Sequence, residues 1–297
     1  MGVFKIARKV EMTQLVNIDG KLFAPEDAKI SVFDHGFLFG DSVYETMRTY
    51  GGRVFLLDEH MQRLENSARM LYLKLPLTAE ELKSEILRTV HASSNPECYV
   101  RLMVTRGVGK IGLDIRLCKN TSTVILVQPL EPLHARFYQE GVPVTIVTVR
   151  RNDPRALNPK IKSSNLINNI LAYHEAAESG AFEGILCNPS GFVAEATGSN
   201  IFLIRDHVLL TPPPEAGLLE GVTRALVLDL ATKKKIPFVE KNITPEEFKQ
   251  AEECFLTSTT KAILPVRSID SARLSPVPGP VTRQLMDAYD AFVAAIP

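Results

Sequence analysis

The chain has no excess of either charge, few cysteines and no long apolar run, and each absence removes a class of function. Lysine plus arginine and aspartate plus glutamate both number 34, so there is no basic field for nucleic acid or an anionic membrane surface to neutralise. No apolar stretch approaches the roughly 20 residues a membrane helix needs, and Met1 to Met12 lacks the apolar core of a secretory signal. The expectation is a cytoplasmic protein with neither nucleic acid nor membrane as partner. The four cysteines, Cys98, Cys118, Cys187 and Cys254, stand singly, without the spacing of a zinc site or a disulfide framework, and read as reduced packing residues with no metal. What remains is an ordinary globular composition. The 297 residues are 45% hydrophobic and 23% charged, enough to bury a large core in one or two domains.

Val16 to Phe23 alternates apolar and polar around Asp19-Gly20, a strong hairpin signal. A second hairpin follows, with Ser42 to Thr49 as one strand, Gly51-Gly52 in the turn and Arg53 to Leu57 returning. Strand period places Tyr44, Thr46 and Arg48 on one face and Val43, Glu45 and Met47 on the other; the polar face is either solvated or lines a pocket. Asp58 is expected to cap a helix running to about Leu73, with Met61, Leu64, Ala68 and Leu71 inward and Arg63 beside that stripe. Thr78-Ala79-Glu80-Glu81 is a capping box for a second helix. The strand Tyr99 to Thr105 again sets a tyrosine and an arginine two residues apart. Tyr99 and Arg101 form either a wet face or a carboxylate grip, since a planar guanidinium offers two hydrogen bonds and a phenol a third.

Gly107-Val108-Gly109-Lys110-Ile111-Gly112 spells dinucleotide-binding spacing. That fingerprint requires a helix directly afterwards, whereas Ile111, Leu113, Ile115 and Leu117 alternate, so a loop between antiparallel strands is expected instead. The proline-bearing polar stretch from Pro129 to Glu140 reads as a linker. It divides the chain into an N-terminal domain, 1–128, a linker, 129–140, and a C-terminal domain, 141–297.

In the second half a strand spans Pro143 to Val149, and Lys160 and Lys162 then enter a segment that turns helical. The positive end of a helix dipole favours the neutral amine, so Lys162 is either a nucleophile or a solvated lysine. Leu166, Ile167, Ile170, Leu171, His174 and Ala177 follow at helical spacing up to Gly180, with His174 expected as a core histidine. Glu195 ends a short strand beginning at Phe192. A carboxylate buried there needs a cationic partner, whether structural or functional. Leu219 to Arg224 opens a helix whose first amides, with the Thr223 hydroxyl, suit a phosphate, and Gly221 would let a ligand approach. Thr257-Ser258-Thr259-Thr260 supplies a second set of donors, and Val281 to Ile296 reads as the closing helix. A nucleophilic lysine, a buried acid and two phosphate cradles are together what pyridoxal phosphate requires.

In these residues the chain resembles the class IV (fold-type IV) pyridoxal-phosphate aminotransferases, a group of branched-chain, D-amino-acid and some (R)-amine transaminases and aminodeoxychorismate lyase. The resemblance runs from Val16 to Tyr289. It implies a two-domain α/β (α+β) fold, with a smaller N-terminal α/β domain and a larger C-terminal pseudo-barrel domain, the cofactor between them, and a homodimer. It also implies that Lys162, in Ile-Lys-Ser-Ser-Asn-Leu, is the Schiff-base lysine and proton shuttle. Glu195, in Ala-Glu-Ala-Thr-Gly-Ser-Asn, matches the partner of the ring nitrogen. Arg63, in His-Met-Gln-Arg-Leu, matches the phosphate arginine, with Val222, Thr223 and Thr259 completing the cup. Tyr44, Arg48, Tyr99, Arg101 and the backbone at Thr259-Thr260 are the candidates for holding substrate.

Tyr99-Val100-Arg101 is similar to the Tyr-x-Arg of branched-chain enzymes. D-amino-acid enzymes use an Arg-x-His in the following loop, and Gly107 to Arg116 contains no histidine. Branched-chain enzymes have glycine in place of Thr46 and tyrosine in place of Leu166, the latter shared with D-amino-acid enzymes. Arg101 stands where the lyases have lysine. The implied reaction is amino transfer from branched-chain L-amino acids to a 2-oxo acid such as 2-oxoglutarate, with D-amino acids or (R)-amines as the alternative.

Overall fold

The computed structural model describes residues 13–296, so the stretch expected to lack a signal, Met1 to Met12, lies outside the described residues. The first sheet contains β1 (Leu15–Ile18), β2 (Lys21–Phe23), β3 (Ser42–Tyr50), β4 (Arg53–Val54), β5 (Cys98–Thr105) and β6 (Ser122–Pro129). Their order is β2-β1-β6-β5-β3-β4, antiparallel throughout. At the first turn Asp19 and Gly20 both take positive φ, 48° and 82°, as a two-residue hairpin demands. After the five-residue α1 (His35–Phe39), which the sequence did not betray, α2 (Leu57–Met70) and α3 (Ala79–Ser93) cover one face of this sheet. Met61, Leu64, Leu82 and Ile86 pack there against Val43, Met47, Val100 and Leu102.

The expected capping box is present at Thr78 and Glu81, but Asp58 is not a cap. Leu56 occupies that position with a left-handed backbone, φ 52°. The helix therefore starts at Leu57, the returning strand shrinks to two residues, and Asp58 sits in the first helical turn paired with Lys83. Between β5 and β6 the glycine-rich run is a loop, with Gly109 bridged to Cys118 and only a single 3-10 turn, Ile115–Leu117, after it in place of the α-helix the fingerprint needs.

The second sheet is larger and curls into a pseudo-barrel. It contains β7 (Val142–Ile146), β8 (Glu183–Cys187), β9 (Val193–Ala196), β10 (Asn200–Arg205), β11 (Val208–Thr211), β12 (Phe238–Glu240), β13 (Glu253–Ser258), β14 (Ala262–Ile269) and β15 (Ala272–Arg273). The order is β12-β11-β10-β13-β14-β7-β8-β9, with β15 beside β14. One core fills its inner face through Val144, Ile185, Ile201, Leu256 and Val266. Helices α4 (Arg136–Glu140), α5 (Ile167–Glu178), α6 (Val222–Lys233), α7 (Pro245–Lys249) and α8 (Pro280–Ala294) complete the chain. A second core lies under α6 and α8, around Phe202, Phe255, Leu230 and Tyr289.

Parallel pairing of β7 with β8 requires a crossover, and this one carries both the Lys162 run and α5. Helix α5 turns a different face inward from the one its apolar spacing suggests. Ala172 and Ala176 are buried, while Ile167, Ile170 and Leu171 are 62%, 58% and 54% exposed. His174 is exposed as well, not a core residue. The cause lies in β8: a β-carbon on Gly184 would meet Ala172 O at 3.0 Å and Ala176 Cβ at 3.2 Å. The helix packs so tightly there that only its smallest residues fit the interface. Among the described residues, no helix is long and apolar enough to cross a membrane.

Candidate active site

The Lys162 run is pinned to the first sheet by its backbone. Lys162 O accepts from Tyr44 N at 2.9 Å, Ser164 N donates to Ser42 O at 3.0 Å, and Lys162 N donates to Ser67 Oγ at 3.1 Å. These bonds fix the residue at the edge of β3 and hold its side chain at a cavity of about 550 Å³. There Nζ lies 4.5 Å from the centre of the Tyr44 ring, whose other contact is the Arg101 guanidinium at 4.0 Å. Burial, reinforced by the nearby charge of Arg63, brings the Lys162 amine down to about 8. The helix dipole invoked from the sequence is not the cause, because α5 begins five residues further on. Lowering an amine this far makes a neutral nucleophile available near neutral pH.

Glu195, 5% exposed on β9, has the cation its burial requires. Arg151 Nε lies 2.6 Å from Oε1, and Leu219 N donates to Oε2 at 3.0 Å. Burial pushes this carboxyl up, and Arg151 with the Leu219 amide opposes it. Arg151 Nη1 also donates to Asn168 Oδ1 at 3.0 Å, which ties the acid to the start of α5.

Arg63 lines the cavity with its guanidinium gripped from behind. Nε and Nη2 each donate to Glu45 at 2.7 Å, and Nη1 donates to Glu220 O at 3.1 Å. Glu45 is fully buried and also receives His60 Nδ1 at 2.8 Å. Burial alone would raise its pKa, but Arg63 and His60 outweigh burial and hold it at about 2. His60, pushed down by its own burial, is neutral and donates through Nδ1. The acid reached from the sequence only as the inward face of a strand thus aims the predicted phosphate arginine.

Two sets of unengaged donors meet at the same cavity. Helix α6 starts at Val222 with no side-chain cap, so its first amides are free, and Thr223 is 3% exposed beside them. A β-carbon on Gly221 would meet Asn200 Oδ1 at 2.0 Å, so this glycine is required by the neighbouring asparagine. The other set is the turn after β13: among the described residues the amides of Thr259, Thr260 and Lys261 donate to no protein group. The hydroxyls of Thr257 and Ser258, which line the same cavity, are buried without a partner. Orphaned hydroxyls and amides in two sets around one arginine fit anionic groups, a phosphate ester and a carboxylate among them. With a lysine and an ion-paired acid beside them, the residues fit pyridoxal phosphate.

Of the substrate candidates, Tyr44, Thr259 and Thr260 line the cavity together with Thr46 and Leu166. Arg101 backs its wall through the Tyr44 ring. Arg48 and Tyr99 lie further along the β3 face, paired across the strands, and Arg48 stacks on Tyr50 at 3.9 Å while donating to Thr49 O. Sequence reasoning missed Arg151, Glu45 and His60. The demand of Glu195 for a cation was a signal for the first, but nothing in the spacing chose among arginines.

Residues 42–269 match the family described as amino-transferase class IV. The chain is 40% identical to a putative branched-chain-amino-acid aminotransferase of Methanocaldococcus jannaschii, over 92% of this chain and 94% of that one. It is 34% identical to a D-alanine aminotransferase of Bacillus licheniformis, over 92% and 95%. A branched-chain aminotransferase of Thermoproteus uzoniensis, solved with norvaline, superposes with a TM-score of 0.88 at 35% identity, covering 94% of each chain. The chain belongs to the class IV, pyridoxal-phosphate-dependent aminotransferases, in the branch that contains both branched-chain and D-amino-acid aminotransferases.

Proposed function

We propose that this enzyme is a transaminase for branched-chain L-amino acids, with 2-oxoglutarate or a similar 2-oxo acid as acceptor and Lys162 as its catalytic amine. The observation that carries the reading is the Lys162 amine, held near 8 in a cavity that also contains an ion-paired acid and two cradles of free donors. When bound, pyridoxal 5'-phosphate supplies an aldehyde that condenses with amines and a protonated ring that draws electrons from the carbon losing its proton. Arg63, the amides of Val222 and Thr223 and the Thr259 hydroxyl are assigned to the phosphate, and Glu195, kept in place by Arg151, to the ring nitrogen. Lys162 is assigned as the general base that would take the proton from the donor's alpha carbon and the general acid that would return it. The second half of a ping-pong cycle runs these proton movements in reverse on the 2-oxo acid. Tyr44, Arg101 and the backbone at Thr259-Thr260 are assigned to the substrate, with Arg48 and Tyr99 further out on the same face.

An apolar wall including Leu157, Ile161, Leu166 and Ile170 supports an aliphatic side chain. D-amino acids or (R)-amines are the second reading, favoured by Leu166 and by the D-alanine aminotransferase relative. Half-reactions of the yellow holoenzyme with L-leucine, L-glutamate, D-alanine and (R)-1-phenylethylamine separate them. Rapid conversion of D-alanine with none of L-leucine would exclude the branched-chain assignment.

A homodimer belongs to this reading. Its support is exposed apolar surface: Val32, Phe33 and Phe37, with Val108, Ile111 and Leu113, and on α5 Ile167 together with Ile170 and Tyr173, the last two at the cavity rim. A monomer in analytical ultracentrifugation would exclude it. Lining residues come from both sides of 129–140, which supports two domains, 1–128 and 141–297, meeting at the site. All four cysteines are free, in keeping with the reducing cytoplasm.

A further inference from the structure

The turn that joins β13 to β14 is fastened by an ion pair that the reaction as described above does not use. Ser258 pairs with Ala262, so Thr259, Thr260 and Lys261 form a three-residue connection. Ala262, the first strand residue after the connection, takes the left-handed backbone that favours glycine, at φ 53°. A side chain in that conformation is strained and persists only where its surroundings determine it. The turn's own amides do not determine it, since none of the three has a protein partner among the described residues.

Lys261 supplies the missing restraint. Its Nζ lies 2.5 Å from Glu183 Oε1 and 3.2 Å from Ser199 Oγ, and its carbonyl oxygen accepts from the Tyr138 hydroxyl at 3.2 Å. Glu183, 2% exposed at the start of β8, gathers a second turn with its remaining capacity. It accepts from Ser199 Oγ at 2.7 Å, Gly198 N at 2.7 Å and Thr197 Oγ1 at 3.1 Å. Burial would raise this carboxyl, but Lys261, the Ser199 hydroxyl and the Gly198 amide pull it below the ordinary carboxylate range, so it is ionised at neutral pH. One buried carboxylate thus ties the turn following Glu195 to the turn bearing Thr259 and Thr260. With side chains 20% and 3% exposed, this is not a solvated surface pair of negligible consequence.

We propose that Lys261, anchored on Glu183, is a positioning residue that holds the 259–261 turn with its unpaired amides presented to the cavity as the cradle for the substrate carboxylate. The proposal rests on the transaminase reading. It predicts an effect on carboxylate binding larger than any on cofactor loading, because of the phosphate donors only the Thr259 hydroxyl lies on this turn, while Arg63 and the α6 amides lie on other elements.

The test uses the holoenzyme, its visible absorbance, KM for L-leucine, and titration with 4-methylpentanoate, a ligand that offers a carboxylate and no amine. Lys261→Met should keep the absorbance while weakening 4-methylpentanoate and raising KM about tenfold, the loss expected when positioned hydrogen bonds are loosened. Lys261→Arg should stay close to wild type. Because Lys261→Met leaves the buried Glu183 without a cation, Glu183→Gln/Lys261→Met is the companion, free of buried charge and expected to show the same weakening. If either variant loads cofactor and binds 4-methylpentanoate as tightly as wild type, the positioning role is wrong while the transaminase reading stands. If the wild-type protein shows no absorbance that borohydride removes, the transaminase reading itself fails.

Discussion

Replacing Lys162 with methionine in the cofactor-free protein should stabilise the fold at neutral pH, and the gain should vanish in alkali. A lysine in the unfolded chain titrates near 10.5, whereas burial and Arg63 bring the folded Lys162 to about 8. The folded state therefore binds fewer protons than the unfolded one between those values, and wild-type stability rises with pH across that window. Below about pH 8 the ammonium is present in both states and the fold bears its full cost; above about 10.5 the amine is neutral in both and the cost is gone. The gap corresponds to up to about 3 kcal/mol, a large part of the stability of an ordinary domain. Urea unfolding of the two apo-proteins at one protomer concentration, from about pH 7 to about pH 10, measures it. Lys162→Met should be the more stable by a difference that shrinks steadily as pH rises. No difference at pH 7, or one independent of pH, would mean that the amine is not desolvated, and the case for a neutral nucleophile would fall.

Two further perturbations probe the rest of the site. Arg151→Leu leaves Glu195 buried with only the Leu219 amide as partner, which should cost on the order of 3–5 kcal/mol and appear as a lower thermal midpoint and weaker cofactor retention; Arg151→Lys should recover part of both. Thr46→Gly removes a side chain from the cavity wall beside Tyr44, so kcat/KM for L-leucine relative to L-alanine should rise roughly tenfold, the worth of about one or two methylene-sized volumes. An unchanged ratio would show that Thr46 does not face the substrate side chain.

How much of this was legible in the sequence depended on how local the cause was. The Asp19-Gly20 turn and the box at Thr78 and Glu81 are set by neighbours, and both are where the pattern placed them. The glycine run after β5 gave itself away because the helix it needed was absent from the pattern. Helix α5 was misjudged because the residue that orients it, Gly184, lies beyond its end and leaves room only for Ala172 and Ala176. Asp58 failed as a cap for a similar reason, since Leu56 takes a backbone conformation that its residue type does not announce.

The charges of the site follow the same rule. Glu45 meets Arg63 from the next helix, Glu195 meets Arg151 from 44 residues earlier, and Glu183 meets Lys261 from 78 residues later. A buried carboxylate in a sequence announces that it needs a cation but not which one. Read from the cations instead, those pairings account for three of the four basic residues around the cavity: Arg63, Arg151 and Lys261 each hold a carboxylate. Lys162 is the exception, with an aromatic ring and no acid against its amine among the described residues. Glu45 and Glu195 act on it only from a distance, so this amine holds its proton less tightly than a solvated lysine, and the absence of an ion pair, which in a structural lysine would be a fault, is what helps make this one available as a nucleophile.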